Sequence, residues 1–321
     1  IAESFAKNEY KSYILVDFSE APMAVHKLFE DISDLNYLFT QLQLRYRKDL
    51  FHHKSVIIFD EIQKEPLARQ AIKKLVKDGR YDYIETGSLL SIKKKKQNIL
   101  IPSEETRVDM YPMDYEEFRW ALGDETTIPL IRKMFNERTP LGDDTNRQLM
   151  RDFRLYMLVG GMPQAVSTYL DTLNLADVDR KKREIIDIYI DDFQKIDPSG
   201  KISKLFSAIP AQLSKNASRF QQSSIIGRGY PSETVDEFLR DMEDILTVNF
   251  AHHSDNPEVG LPSHTDYGQY KLYMGDTGLF ITLAFWNNDF SDNEIYGKLL
   301  SDKLSVDLGY VYENIVAQML V

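Results

Sequence analysis

Val56-Ile57-Ile58-Phe59-Asp60-Glu61 is the stretch from which the fold of this chain can be predicted. Four apolar residues are followed at once by two acidic ones, a pattern typical of a strand that is buried on both faces. Tyr13-Ile14-Leu15-Val16-Asp17 shows the same design earlier in the chain, and residues 81–85 are expected to form a third strand. Because helical segments separate these strands, the sequence predicts a parallel sheet built from βαβ units.

The segments that flank these strands extend the prediction. Residues 107–111, just before Pro112, are expected to form a fourth strand. Apolar residues with helical spacing begin at Ile1, so we expect the chain to start inside a helix, with natural sequence missing upstream. The predicted fold class is therefore α/β: a parallel sheet with helices on both faces, followed by a mostly helical region with a winged helix.

Composition excludes several classes of protein. The 321 residues include no cysteine, 39 basic and 50 acidic side chains, and the net charge is −11. The lack of cysteine excludes disulfide scaffolds, Cys-ligated zinc and cysteine nucleophiles, and it fits a reducing cytoplasm, the predicted location. No apolar run approaches the roughly 20 residues that cross a bilayer, so no membrane partner is predicted. The net charge argues against non-specific binding to nucleic acid, although one local basic patch remains compatible with it.

Asp60 and Glu61 match the Walker B pattern of P-loop ATPases, in which four apolar residues precede two acids. The predicted parallel sheet is therefore P-loop NTPase-like. A buried parallel strand delivers both carboxylates to the sheet edge where ligands of open α/β folds bind. Asp60 would hold Mg²⁺ through water, because this ion prefers oxygen ligands and keeps part of its hydration shell. Glu61 would orient the water that attacks the γ-phosphate of ATP. The alternative is a strand that ends in two solvated acids.

Three further residues complete the predicted site. Thr86 and Ser88 follow the third strand, where AAA-type ATPases keep a polar sensor residue; the alternative, compatible with the first, is that they cap the next helix or turn. Arg107 lies roughly where such proteins present an arginine finger to the nucleotide of a neighbouring subunit, which would imply a homo-oligomer. The alternative for Arg107 is a surface residue that forms an ion pair.

The phosphate-binding loop is the missing part of this site. No GxxxxGK[ST] segment occurs in the 321 residues. Such a segment would cradle phosphates between a strand and the helix that we place at residue 1. We therefore expect the loop to have preceded Ile1, and we expect the chain without it to bind ATP weakly or not at all.

Motifs along most of the chain resemble a prokaryotic AAA-like ATPase family whose members carry a C-terminal domain of unknown function. In the first half these motifs are Phe59-Asp60-Glu61-Ile62-Gln63, Arg69-Gln70-Ala71-Ile72-Lys73, Arg80-Tyr81-Asp82-Tyr83-Ile84-Glu85-Thr86-Gly87-Ser88-Leu89 and Tyr111-Pro112-Met113-Asp114-Tyr115-Glu116-Glu117-Phe118. In the second half they are Gly160-Gly161-Met162-Pro163-Gln164-Ala165, Tyr273-Met274-Gly275-Asp276-Thr277-Gly278-Leu279 and Gly309-Tyr310-Val311-Tyr312-Glu313-Asn314.

The resemblance implies four segments. These are an ATPase core at 1–125, a helical connector or lid at 126–198, a winged helix at 199–285, and the start of a nuclease-like domain at 286–321. It also implies that Asp60 takes the Mg²⁺ role, Glu61 the catalytic role, and Ser88 or Thr86 the sensor role. The chain stops before the acidic and Glu-x-Lys motifs of the nuclease-like fold, of which only Glu313 could be present, so nuclease chemistry is not predicted.

The segment of the predicted winged helix carries a local excess of positive charge. Residues 199–232 contain no acid and five basic residues, which are Lys201, Lys204, Lys215, Arg219 and Arg228. Contact with phosphate is their functional interpretation. The next helix, residues 231–245, has six acids against Arg240 alone, and phosphate would repel it. Backbone contact through the basic residues, or a winged helix that faces a protein, is therefore favoured over sequence-specific reading of DNA.

Two functions remain open at this point. The first is an ATP-binding AAA-like ATPase, with Mg-dependent hydrolysis coupled to the winged-helix module. The alternative is a non-catalytic nucleotide fold that serves as a scaffold and binds DNA or protein through the winged helix. ATPase activity is expected for the full-length protein and not for this chain without its Walker A loop.

Overall fold

The computed structural model describes residues 1–87, 105–215, 217–227, 232–256, 264–287, 295–301 and 309–321. These residues form two compact units, Ile1–Asp109 and Met110–Val321. None of the described helices is long and apolar enough to cross a membrane.

The first unit alternates helices and strands. Its elements are α1 (Ala2–Glu9), β1 (Ser12–Asp17), α2 (Met23–His26), α3 (Leu35–Tyr46), β2 (Ser55–Asp60), α4 (Pro66–Asp78) and β3 (Asp82–Glu85), with short 3₁₀ turns at Lys27–Phe29 and Ile62–Lys64. The local sequence explains two of the helix ends. Asp34 caps α3 by accepting from two backbone N–H groups, and Gly79 ends α4 in the left-handed conformation that glycine adopts without strain.

The three strands form one parallel sheet in the order β1-β2-β3. Asp17 pairs with Asp60 across β1 and β2, and Phe59 pairs with Glu85 across β2 and β3. Since the crossover segments contain helices, this is the βαβ architecture that the apolar runs predict, and the predicted fold class is confirmed.

Helices cover both faces of the sheet. On one face Ala6 of α1 packs against Val56 and Ile58 of β2. On the other face Ile57 and Phe59 belong to a larger core with residues of α3 and α4. Because side chains alternate along a strand, Asp60 continues the face of Ile58, which is the face covered by α1.

The predicted strand at residues 107–111 is wrong. Residues 105–114 form neither helix nor strand, and β3 is an edge strand of the described sheet. Val108 and Met110 are 74% and 59% exposed, so these apolar side chains do not supply the buried face that a sheet strand needs. The expected helix at the start of the chain is present as α1.

The second unit is mostly helical. Its helices are α5 (Tyr115–Ala121), α6 (Thr127–Asn136), α7 (Asp143–Val159), α8 (Pro163–Thr172), α9 (Leu175–Ile196), α10 (Lys201–Ser207), α11 (Ile209–Leu213), α12 (Ser223–Ile226), α13 (Ser232–Asp244), α14 (Thr277–Ala284), α15 (Ile295–Leu300) and α16 (Gly309–Met319). Between α13 and α14 lie two antiparallel strands, β4 (Val248–Ser254) and β5 (Thr265–Met274). Helices followed by a hairpin are thus present where a winged helix is predicted.

A fully buried aspartate ties two glycine-containing turns of this unit together. Asp276 accepts from the N–H of Leu279, which caps α14, and from the N–H of Gly161, at 2.8 and 2.6 Å. A Cβ atom at Gly160 would overlap the carboxylate of Asp276. Gly160-Gly161 and Asp276-Thr277-Gly278 are therefore two halves of one buried contact.

Lys182 of α9 is also fully buried in this unit. Its Nζ donates to the carbonyl oxygens of Leu158 and Gly278, at 2.5 and 3.2 Å. Burial lowers the pKa of Lys182 to about 8, because a charged ammonium is disfavoured away from water. Lys182 thus holds α7, α9 and the start of α14 together through backbone carbonyls.

Candidate functional site

Three polar side chains meet at the C-terminal edge of the first unit's sheet. Asp17 and Asp60 are the last residues of β1 and β2 and face each other in register. Thr86 directly follows β3, and its N–H donates to the carbonyl of Phe59 at 2.9 Å. The backbone ladder therefore extends one residue past β3 and places Thr86 beside Asp60.

The carboxylate of Asp60 is held on one side only. Its Oδ1 accepts from the hydroxyl of Thr86 and from the backbone N–H of Glu61, the latter at 3.2 Å. Within the described part of the chain, Oδ2 of Asp60 has no hydrogen-bond partner. One oxygen is thus oriented by the protein, while the other is available to a ligand.

Glu61 adopts a backbone conformation that is rare for a residue with a side chain. Its φ is 56°, in the left-handed region, which costs roughly 1–2 kcal/mol outside glycine. Its side chain is 38% exposed and accepts from Nε2 of Gln63 at 2.7 Å, while Nζ of Lys64 lies 3.9 Å away. The residue that follows Asp60 therefore carries a partly exposed carboxylate, which is held by Gln63 of the turn after β2.

Gln63 and Gly87 meet at this turn, and neither residue has a role predicted from the sequence. A Cβ atom at Gly87 would overlap the side-chain oxygen of Gln63. The segment after Thr86 therefore lies against the amide of Gln63, and a side chain at position 87 would have to displace that amide. Gln63 and Gly87 both belong to the motifs quoted above, and that is the only sequence signal for their role.

Asp17 is a further acid at this edge, with no role predicted from the sequence. Its Oδ1 accepts from the N–H and the hydroxyl of Ser19, at 2.7 and 2.5 Å. These hydrogen bonds lower the pKa of Asp17, because they favour the ionised carboxylate. The apolar run before Asp17 has the same design as the run before Asp60, and this similarity was the available signal.

A second carboxylate cluster lies on the opposite face of the sheet. Glu85 pairs with Phe59 and so shares its face, away from Asp60. Burial, with a smaller contribution from Glu105, raises the pKa of Glu85 to about 7, while Arg69 opposes the shift. Arg69 lies 3.4 Å from Glu105, and Oε2 of Glu85 is buried without a partner in the described chain. This cluster is separate from the Asp60 edge.

The donor set at the edge fits magnesium better than a metal that needs many protein ligands. Among the described residues no group of three or more His, Asp or Glu side chains could hold a metal ion. Mg²⁺ commonly takes one or two carboxylates and completes its shell with water and phosphate oxygens. Asp60, with one oxygen open and Asp17 in register beside it, matches that requirement.

The remaining predicted residues form other contacts, belong to the second unit or lie outside the described residues. Ser88 and Arg228 lie outside the described residues. Arg107 is exposed and its Nε lies 2.6 Å from Oδ1 of Asp109, which is the ion-pairing alternative for this residue. The other predicted phosphate contacts belong to the second unit: Lys204, Lys215 and Arg219 are exposed and Lys201 is half-buried.

Glu313, the acid that the nuclease resemblance singled out, is already engaged. Its Oε1 accepts from Nζ of Lys271 at 2.5 Å and from the hydroxyl of Tyr273 at 2.7 Å. These bonds join α16 to β5 and give Glu313 a structural contact within the second unit.

Comparison with known families assigns the N-terminal and C-terminal parts of the chain to two different families. Residues 1–119 match a family described as an AAA domain. Residues 150–289 match a separate domain of unknown function, DUF8612. No curated protein matches the chain. The parallel sheet and the first match together give the N-terminal part an AAA-like ATPase fold, followed by a helical region with its own family.

Proposed function

We propose that the C-terminal edge of the first unit's sheet binds Mg·ATP and supports its hydrolysis. The observation that carries this proposal is the contact between Thr86 and Asp60 at adjoining strand ends, in a segment that matches an AAA domain. In P-loop folds this edge is where the phosphates bind. An AAA domain indicates nucleotide binding, typically with Mg²⁺, and the residue roles are our inference.

Each side chain has one task in this proposal. The open oxygen of Asp60 would hold Mg²⁺, through water, and Thr86 fixes the carboxylate in that orientation. When bound, the ion would stabilise charge on the phosphoryl oxygens. Glu61 accepts a hydrogen bond from the attacking water, which requires its carboxylate to leave the amide of Gln63. Ser88 is a second candidate sensor and Arg107 a candidate arginine finger that would act between subunits.

The alternative proposal is a non-catalytic scaffold. Its support is the set of contacts that hold Glu61, whose carboxylate accepts from Gln63 and lies 3.9 Å from Nζ of Lys64. In this case the helices and hairpin at 199–285 act as a winged helix, and Lys201, Lys204, Lys215, Arg219 and Arg228 contact DNA phosphates. The bounds 1–125, 126–198, 199–285 and 286–321, the homo-oligomer and the cytoplasmic location also remain predictions.

Replacing Glu61 tests the enzymatic proposal. In the longest natural form of the protein, Glu61→Gln should lower the rate of phosphate release from Mg·ATP by about 10²–10⁴-fold, because the base is lost. Binding of Mg·ATP should change little, since the amide keeps the size and polarity of the side chain. Phosphate release and nucleotide binding are measured on the same samples.

Glu9→Gln is the matched control for this experiment. Glu9 is exposed at the end of α1, towards the opposite edge of the sheet, where Tyr10 donates to Asp82 at the start of β3. This variant should retain wild-type phosphate release. Equal release by the wild type and Glu61→Gln would remove the role of Glu61. No release above background by either protein would leave the scaffold as the supported function.

Salt dependence tests the DNA branch of the alternative. If the basic residues contact phosphates, the affinity for a DNA duplex should fall steeply as salt rises, because bound counterions are released on binding. Lys204→Gln should reduce the slope of log K against log salt by about one unit. A slope near zero in the wild type would contradict phosphate contact.

A further inference from the structure

A cavity of about 410 Å³ lies in the second unit between helix α13 and the β4–β5 hairpin. Its volume falls in the range of roughly 300–1,000 Å³ that is usual for small-ligand sites. Among the described residues, the lining includes no residue of the proposed ATP site and none of Lys201, Lys204, Lys215 and Arg219.

Four aromatic rings from the hairpin line one side of this cavity. They are Phe250 and His252 of β4 and Tyr267 and Tyr270 of β5. The ring centroids lie 5.5 Å apart for Phe250 and His252, 5.0 Å for Phe250 and Tyr270, and 5.1 Å for His252 and Tyr267. The rings are therefore continuous, and such π faces attract cations.

An irregularity in the hairpin brings Tyr267 to this side. His252 pairs with Tyr270, whereas His253 pairs with Asp266, so residues 267–269 are left out of the ladder. In a regular strand, residues three apart point to opposite faces, and a bulge re-aims a side chain. Tyr267 stays 64% exposed although it lies beside His252 and lines the same cavity as Tyr270.

Helix α13 supplies the opposite, charged side. Asp236 and Glu243 both line the cavity, two turns apart, and neither carboxylate forms an ion pair within the described part of the chain. Arg240 lies between them, and its Nε donates to the backbone carbonyl of Asp236 at 3.1 Å. The lining thus holds two unpaired carboxylates and one guanidinium that is bound to the helix backbone.

The charge of α13 decides which ligand this cavity favours. Across Ser232–Asp244 there are six acidic residues and one basic residue. This field repels phosphate and attracts cations. A planar guanidinium also stacks on aromatic rings and pairs with carboxylates, and a compact ammonium does both less well.

We propose that the cavity binds an arginine side chain presented by a protein partner. The guanidinium stacks on the aromatic side, with Tyr267 as its exposed wall, and pairs with Asp236 or Glu243. The site is independent of the proposed ATPase activity. In this proposal the hairpin and α13 bind a basic segment of a protein partner and not DNA.

A pair of peptides that differ in one charge tests this proposal. The probes are fluorescein-labelled Ser-Gly-Arg-Gly-Ser and the same peptide with citrulline, the neutral isostere of arginine, both titrated against the 321-residue chain. The arginine peptide should bind at least about fivefold more tightly. Equal affinities, or no binding of the arginine peptide up to about 10 mM, would overturn the proposal.

Variants of the cavity lining assign the binding to this site. Glu243→Gln and Tyr267→Ala should each weaken binding of the arginine peptide by about threefold or more. Arg240→Gln should strengthen it, because a like charge is removed. Opposite effects of Glu243→Gln and Arg240→Gln cannot come from a general loss of folding. If Arg240→Gln instead weakens binding, the cavity does not select a cation.

Glu237→Gln is the matched control. Glu237 is exposed on the same helix but does not line the cavity. It removes the same charge as Glu243→Gln, so it should leave the affinity within about twofold if the attraction is local. If Glu237→Gln and Glu243→Gln weaken binding equally, the attraction comes from the overall charge of the helix and not from the cavity, and the proposal is overturned.

Discussion

Single residues at the sheet edge show how a short motif becomes a site. Asp60 and Glu61 are adjacent in sequence, yet they are held in different ways. Thr86 orients Asp60, whereas the left-handed backbone at Glu61 sends that side chain to Gln63. A non-glycine residue in this conformation is often found at functional sites, where the surrounding structure maintains the strain. The two acids are thus held by different contacts, Asp60 by Thr86 and Glu61 by Gln63.

Glu85 provides a prediction at the same scale. Its pKa is raised from 4.5 to about 7, so the folded state binds a proton more tightly than the unfolded state. The associated stability is present below pH 4.5 and is lost as the pH rises through 7. At pH 8 the free energy of unfolding of Glu85→Gln should therefore be about 2 kcal/mol higher than that of the wild type, after a discount for partial exposure. At pH 4 the two free energies should be nearly equal.

Urea unfolding of wild type and variant at the two pH values measures this difference. Glu9→Gln, which changes an exposed acid, should show no comparable pH dependence. If the free energies of unfolding of Glu85→Gln and the wild type differ by the same amount at both pH values, Glu85 ionises as freely in the folded chain as in the unfolded one.

At the scale of elements, close approach of backbones decides the packing of the second unit. The N–H of Gly161 donates to Asp276, and its carbonyl accepts from the N–H of Met113 at 2.8 Å. The turn between α7 and α8 is therefore fixed both to the start of α14 and to the segment before α5. Such contacts need glycine because a side chain would separate the backbones.

Gly161→Ala should destabilise this unit by about 1–3 kcal/mol, because its Cβ would overlap the carbonyl oxygen of Met113. The expected result is a lower unfolding temperature by circular dichroism. Gly297→Ala is the control: it lies inside α15, and a Cβ there meets no atom within 4 Å. It should be neutral or slightly stabilising. Equal effects of the two substitutions would contradict close approach as the reason for Gly161.

At the scale of the whole molecule, the described core residues fall into separate clusters. The clusters around Phe59 and around Ala6 contain residues of the first unit only, and the large cluster around Phe206 contains residues of the second unit only. Multidomain chains of this kind often depart from two-state unfolding. The boundary of the first unit, at Asp109, lies within the match to the AAA domain, which extends to residue 119.

Core substitutions should therefore move one unfolding transition at a time. Ile57→Ala and Leu205→Ala each remove a fully buried side chain, one from each unit, and each should cost about 2–5 kcal/mol. In a calorimetric scan each variant should lower a different transition and leave the other within about 2 °C of the wild type. A single transition that shifts equally in both variants would show that the two units unfold together.

The sequence by itself determined the parallel sheet, the helices on both its faces, and the placement of Asp60, Glu61 and Thr86 at strand ends. It could do so because buried parallel strands require continuous apolar runs, and polar residues that follow such runs must lie at one edge. The strand predicted at residues 107–111 is wrong because an apolar pattern does not reveal whether a surface is available to bury it.

Only the tertiary structure decided which side chains meet. Sequence spacing does not predict that Gln63 holds Glu61, that Asp276 reaches Gly161, or that a hairpin irregularity brings Tyr267 beside His252. These contacts depend on turns and on residues far apart in the chain, whose mutual position is set by packing and not by local periodicity.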